Sequence, residues 1–266
     1  MEHGNLDLAE YAESLFSASS FEEAFSALED QVIKLGFDGV LYTYIPQIML
    51  DSKFSLKPVY KVSREYSPKY LEHYTDARFD KHDPLISAVK DGVKKPIDWW
   101  GEVSKEYMAE NKASEEVIAT SRDYGVFNGI TLPLMSEEKG IAGASFITSE
   151  SRLFDSLKNE NLQRLQLCTR MFHSMVLSNS HHVGHFVKPI LNDLNDTEKA
   201  FLKRLARGET PKQISASLNR SEKYLEQVML KVRRKLTGAS SDSSPQLNRN
   251  QMLYYAGLLG LIEMLD

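Results

Sequence analysis

What the chain lacks narrows its chemistry first. Its 266 residues include a single cysteine, Cys168, so neither an internal disulfide nor a cysteine-based metal cluster is expected. No hydrophobic run approaches the roughly 18 apolar residues that a bilayer span requires. The N-terminus, MEHGNLDLAE, is acidic, unlike the basic start of a signal peptide. Cytoplasmic residence with no membrane partner is the expectation. There is no glycine-rich phosphate loop and no nucleophile elbow. His181, His182 and His185 stand together without clustered acids or cysteine, so no metal site and no cofactor are expected. Asn219-Arg220-Ser221 spells a glycosylation triplet, which a helix cap explains better in a cytoplasmic chain. Internal repeats are absent, and the one biased tract is Ser240 to Ser244.

What is present describes a folded protein of one large or two modest domains. Hydrophobic residues make up 42% and charged residues 26%, the balance of an ordinary globular chain. The net charge of −5 hides an uneven spread. Between Lys199 and Lys235, 11 Lys and Arg stand against three Asp and Glu, leaving +8. From Met1 to Lys188, 20 basic residues stand against 28 acidic ones, leaving −8. A nucleic-acid surface belongs to the basic stretch and not to the acidic part.

Taken in order, the first 36 residues read as helical. Ser20 and Glu23 fit a capping box, followed by the helix-spaced apolar face Phe21, Ala24, Phe25, Leu28, Val32, Ile33 and Leu35, with Gly36 as the stop. Gly39 to Ile45 is a strand rich in β-branched and aromatic residues, and Pro58 to Val62 a second. Ser67 to Ala88 turns helical, Lys95 to Trp100 is short and extended, and Lys105 to Arg122 reads as one helix. Gly129–Leu134 and Ile141–Ile147 form a hairpin around Ser136 to Gly140, with Pro133 marking an edge or a bulge. A long helix spans Leu157 to Leu177, striped by Leu162, Leu165, Cys168, Phe172 and Met175. Ser178 to His185 breaks the periodicity and reads as a linker. This order specifies an α+β fold: an N-terminal α/β/α sandwich on a mainly antiparallel sheet, then an all-α unit.

The basic stretch divides into short helices. Asp196 or Thr197 caps the first, with Ala200, Phe201, Leu202 and Leu205 inward and Gly208 at its end. Thr210-Pro211 starts the second, and Ile214 and Leu218 face inward. Ser221 caps the third, whose buried side is Leu225, Val228, Met229, Val232 and Leu236. Lys223, Gln227, Lys231 and Arg234 fall opposite, a packed back and a cationic front of the kind that enters a major groove. A fourth helix, Arg249 to Leu259, closes the unit through Met252, Leu253, Ala256 and Leu259.

Residues 191 to 262 resemble the four-helix helix-turn-helix domain of LuxR-type bacterial transcription regulators. Glu198, Leu202, Gly208, Ile214, Ser221, Leu225, Val232, Lys235 and Leu236 carry the likeness, and the spacing matches without a gap from Leu194 to Leu236. The resemblance implies double-stranded DNA as a partner, a palindromic site met by a homodimer, and RNA polymerase as a further partner. Candidate DNA-binding residues are Thr210, Lys212, Ser221, Lys223, Tyr224, Glu226, Gln227, Lys231, Arg234 and Arg249. Lysines and arginines would neutralise phosphates, while Glu226 or Gln227 would meet base edges. Relatives commonly carry a Thr-Val-Lys-x-His-like run where this chain has Tyr224 to Val228. An insertion of about seven residues lies near 241–247.

Residues 15 to 175 likewise resemble the acyl-homoserine-lactone-binding domain of that family. The scattered pocket pattern stands here as Tyr70, Tyr74, Asp83, Pro84, Trp99 and Gly129, with Tyr66 and the Pro96–Trp99 context supporting the register. In the family the aspartate takes the ligand amide and a tryptophan donates to the lactone carbonyl; Tyr70 replaces that tryptophan. Leu85 and Phe146 occupy positions where relatives often have small hydroxyl residues. Tyr66, Tyr70, Tyr74, Asp83, Leu85, Trp99, Gly129 and Phe146 are therefore the candidate ligand-binding residues. They point to a small diffusible signal, an acyl-homoserine lactone or a non-lactone. Asp83 has no partner base or nucleophile in the set, so catalysis is not expected. The domains are residues 1–177, a linker at 178–190, and 191–266. Two alternatives keep the same head: a ligand-independent regulator with a closed pocket, and a response regulator driven by phosphorylation, against which the two opening helices argue.

Overall fold

The computed structural model describes residues 2–51, 55–149, 153–239 and 247–265, with the side chains of 2–7 and 180 left aside. The chain divides into two compact units. The first comprises residues 1–45 and 57–182, and the second residues 46–56 and 183–266.

The first unit is built on one five-stranded sheet of order β2-β1-β5-β4-β3. Its strands are β1 (Gly39–Pro46), β2 (Tyr60–Val62), β3 (Ile97–Asp98), β4 (Asn128–Glu137) and β5 (Gly140–Thr148). The β1–β2, β3–β4 and β4–β5 pairs are antiparallel. Pro133 sits beside a register shift between Pro133 and Met135, where a bulge absorbs the missing donor.

Helices α1 (Glu2–Ser17), α2 (Phe21–Lys34) and α8 (Phe154–Leu177) contact one another. Strand alternation sends Tyr42 and Phe146 to their side, where Tyr42 meets Phe172 edge-on at 5.0 Å and Phe146 meets Phe37 at 6.1 Å. Buried Tyr42 also shares a 2.8 Å hydrogen bond with His173 Nδ1. Burial alone pushes the His173 imidazole down to about 4.

Several local expectations change. Ser20 caps α2 by accepting from Glu23 N, but the Glu23 carboxylate takes the amide and hydroxyl of Ser19 instead. Ile33 is 45% exposed rather than inward. The helix expected over Lys105–Arg122 is two, α6 (Glu102–Glu110) and α7 (Lys112–Asp123). Asn111 divides them because its side chain accepts from Ala113 N and restarts the helix.

The second unit includes α3 (Gln47–Leu50), α9 (Ser180–Asp193, which begins in the first unit), α10 (Asp196–Ala206), α11 (Pro211–Leu218), α12 (Glu222–Lys235) and α13 (Arg249–Leu258). The linker expected at 178–190 is thus mostly helix: the break shrinks to Ser178-Asn179, and α9 runs on through Pro189. Phe186, Val187 and Ile190 are buried, so tertiary packing outweighs the poor local propensity. Asn195, not Asp196 or Thr197, caps α10, in a reciprocal box with Glu198. Thr210 and Ser221 cap α11 and α12 as expected. Gly208 and Asn219 take positive φ angles of 88° and 51° where α10 and α11 end. Met229 and Leu218 are half-buried, less inward than their spacing suggests. Of the 241–247 insertion, residues 241–246 lie outside the described residues, and Leu247 is buried.

Candidate functional site

On the face of the sheet opposite Tyr42 lies a cavity with about 70 Å³ of room for the centres of water-sized spheres. Its walls come from elements far apart in the chain. Leu41, Thr43 and Ile45 arrive from β1, Ile141, Gly143 and Ser145 from β5, and Thr131 from β4. Helices α4 (Pro68–Asp76), α5 (Pro84–Lys90) and α7 bring Tyr70, Tyr74, Leu85, Val89 and Ile118 across from them. Most of this lining is apolar, with polar groups at a few places, the usual build of a small-molecule site.

Asp83 is the charged group of the cavity. It is 7% exposed and caps α5, Oδ1 accepting from Leu85 N at 2.7 Å and Ile86 N at 3.3 Å. Oδ2 accepts from the Tyr74 hydroxyl at 2.6 Å. Burial pushes the carboxyl above its usual range, and these three bonds pull the other way. Asp83 is therefore both a helix cap and a wall of the cavity, with lone-pair capacity left for one further donor.

The aromatic residues form a continuous cluster. Tyr74 meets Tyr60 at 5.5 Å, Tyr70 at 6.1 Å and Phe79 at 5.8 Å. Desolvation raises the hydroxyls of Tyr60, Tyr66, Tyr70 and Tyr74 above the ordinary phenol value, so all remain neutral donors. The Tyr66 hydroxyl is buried and finds no partner among the described residues, a cost that a ligand oxygen would relieve.

Trp99 lies over Gly129. A Cβ at Gly129 would stand 2.5 Å from Trp99 Cε2, so only glycine lets the indole rest against the strand. The indole Nε1–H donates to Thr131 Oγ1 at 3.0 Å, and Thr131 shares a 2.7 Å bond with the Ser145 hydroxyl. Of the expected ligand residues, Tyr66, Tyr70, Tyr74, Asp83, Leu85 and Trp99 line the cavity together. Gly129 acts through Trp99.

Phe146 is the exception. It is fully buried on the opposite face against Phe37, because neighbouring strand residues point to opposite sides. Ser145 faces the cavity in its place, so the small hydroxyl that seemed missing is present. Sequence reasoning also passed over Tyr60 and Thr131. The alternation Ile141-Gly143-Ser145 held the signal for Ser145 and, through its cross-strand neighbour, for Thr131. Among the described residues no group of His, Cys, Asp and Glu is placed to hold a metal ion, and no helix is long and apolar enough to cross a membrane.

In the second unit the cations fall into two groups. Lys235 is bound inward: its Nζ lies 2.8 Å from Glu198 Oε2 and 2.5 Å from the Asp193 carbonyl, and Glu198 is 1% exposed. Arg204 pairs with Glu209 at 3.1 Å, and Arg233 donates to the Leu247 carbonyl. Lys212, Arg220, Lys223, Lys231 and Arg249 are exposed, and none pairs with a carboxylate among the described residues. Tyr224, Glu226 and Gln227 are exposed on α12 beside Lys223, whereas Leu225, Val228 and Val232 are buried behind them. Arg234 is half-buried, and Thr210 and Ser221 are exposed caps.

Comparison with known proteins places this arrangement. Residues 20–176 match the family model described as the autoinducer binding domain. The transcriptional activator protein LuxR of Aliivibrio fischeri is 27% identical over 159 residues, which cover 59% of this chain and 60% of that protein. The match thus spans about 60% of that relative's length. In fold, a crystal structure of Escherichia coli SdiA covers 93% of this chain and 94% of its own, with 21% identity and a TM-score of 0.53. A structure of SdiA in complex with octanoyl-rac-glycerol covers 98% and 97%, with 18% identity and a TM-score of 0.50. The chain belongs to the autoinducer-binding-domain family.

Proposed function

We propose that the protein is a one-component transcription regulator: a small diffusible signal occupies the cavity beneath Tyr70 and Trp99, and α12 reads DNA as part of a homodimer. The observation that carries this reading is the cavity itself, where Asp83, the Tyr66 hydroxyl and the Thr131–Ser145 pair converge from separate elements on an apolar enclosure. The exposed, unpaired cations of α11 and α12 supply the complementary half. A single small head offers little specificity, and a dimer with two heads matches a palindromic site.

The ligand is a small amphiphile with an oxygen-bearing head, held by hydroxyl donors and one carboxylate acceptor. Tyr70 stands where relatives carry a tryptophan that donates to the lactone carbonyl, and Leu85 where they often carry a small hydroxyl residue, so the signal need not be an acyl-homoserine lactone. Ser145 supplies the hydroxyl that Phe146 does not, which leaves Tyr70 and Leu85 as the grounds for that reading. Full-length protein denatured after purification should release one small molecule per chain by mass spectrometry. In parallel, thermal shift with acyl-homoserine lactones, octanoyl glycerol and non-lactone signals should rank the head groups. A ligand at 100 times its Kd adds about 2.7 kcal/mol. Nanomolar stabilisation by an ordinary lactone would overturn the altered-ligand reading, and no bound molecule with no shift from any compound would overturn ligand sensing.

For the DNA half, Lys223→Ala with Lys231→Ala should weaken binding evenly across sequences. The salt dependence should flatten by about 0.9 in log–log slope for each lost phosphate contact. An unchanged slope would remove both lysines from the interface.

A further inference from the structure

The turn before α12 carries a feature that the expected list of DNA-binding residues does not include. Arg220 is exposed, and its guanidinium carbon lies 5.7 Å from the centroid of the Tyr224 ring. No carboxylate pairs with it among the described residues. The backbone beneath is fixed. Asn219 turns the chain at φ 51°, Arg220 N donates to Ser215 O at 3.0 Å, and Ser221 caps the helix by accepting from Tyr224 N at 3.2 Å. Arg220 therefore stands just outside the helix, and Tyr224, 38% exposed, stands one turn further in on the same side.

We infer that Arg220, held by the Tyr224 ring, is a base-reading residue that recognises guanine in each half-site. The inference rests on the DNA-reading role proposed above. Three observations carry it. The N-terminal end of a recognition helix is the end that reaches base edges. A guanidinium presents paired donors in a rigid fork that fits guanine O6 and N7, a geometry the point charge of a lysine matches less closely. The ring within cation–π distance lays the side chain along the first turn of α12, so fewer rotamers are lost when it engages a base. Lys212, Lys223 and Lys231 have no such ring contact among the described residues and act as point charges toward phosphate.

Selection of full-length protein on a random double-stranded DNA library tests this, followed by affinity and salt-dependence measurements on the selected site. Wild type should enrich a two-fold symmetric motif with guanine at one position of each half. Arg220→Ala should lose that guanine preference, with affinity for the selected site falling roughly 5- to 150-fold and the other positions kept, while Arg220→Lys, which keeps the charge but not the fork, should weaken the preference by less. Tyr224→Phe should preserve the motif, and Tyr224→Ala should blur it at the same position only. Arg220 is exposed, so its variants should melt as wild type does. The inference is overturned if Arg220→Ala keeps the motif while binding weakens for all sequences with a flatter salt slope, since Arg220 is then a phosphate contact. Wild type that enriches no sequence would instead sink the DNA-reading role itself, and this inference with it.

Discussion

In the first unit the polar side chains of interest point into an enclosure. Asp83 takes three hydrogen bonds there, and Trp99, Thr131 and Ser145 are bonded to one another. In the second unit the buried carboxylate of Glu198 is met by the half-buried Lys235, while Lys212, Lys223 and Lys231 are exposed. On the function proposed above, one unit is completed from within by something small and the other is covered from outside by something anionic. The difference follows from architecture: a sheet with helices across it can hold a cavity, whereas short helices on a common core leave only their outer faces for recognition.

The sharpest break should come at Lys235. Lys235→Ala leaves the Glu198 carboxylate buried without its cation, which costs about 3–5 kcal/mol. Calorimetry should show the transition of the C-terminal unit moving down while ligand stabilisation of the N-terminal unit is kept. Loss of ligand response as well would mean the two units do not fail separately.

Next in size is the pH response of the first unit. Burial holds His173 near 4 against 6.5 in the unfolded chain, so the unfolded state takes up a proton that the folded state refuses. Stability is full above pH 6.5 and lost as pH falls toward 4, on the order of 3 kcal/mol in all. His173→Gln, which retains a hydrogen-bond partner for Tyr42 whichever group donates, should flatten the pH dependence of unfolding measured at pH 7.5 and 5. An equally steep loss in the variant would assign the acid sensitivity to other groups.

Gly129→Ala should cost roughly 1–3 kcal/mol as Trp99 is forced off the strand. Its signature would be a change in tryptophan fluorescence together with weaker ligand stabilisation. The smallest effect carries the opposite sign. Tyr66→Phe removes a buried hydroxyl without a partner, so the empty protein should gain up to about 1 kcal/mol while ligand stabilisation falls. A loss of stability in the empty protein would mean that the hydroxyl serves the fold.

How much was legible differs between the units for the same reason. In the second, caps, glycine stops and the buried stripe of α12 are local features, and Thr210, Gly208, Ser221 and Leu225 stood where their spacing put them. In the first, Tyr66, Tyr70, Tyr74 and Asp83 were recognisable as a spaced set, but their neighbours were not. Ser145 and Phe146 are adjacent in sequence and on opposite faces of the sheet, so a register read one residue off exchanges a cavity wall for a core residue. Asn111 split a helix that periodicity joined, and α9 formed across a stretch whose composition suggested a linker. In both places a side-chain cap or a burial pattern decided what propensity left open.

By itself the sequence determined most of the alternation of helix and strand, the acidic–basic division of the chain, and the caps of α11 and α12. These depend on neighbours within about four positions or on summed charge. Only the tertiary structure decided that Asp83 is already bonded to Tyr74, that the Trp99 indole is engaged by Thr131, and that Lys235 is spent on Glu198 while Lys231 is not. Those distinctions depend on partners dozens of residues away, and composition counts a buried cation and an exposed one alike.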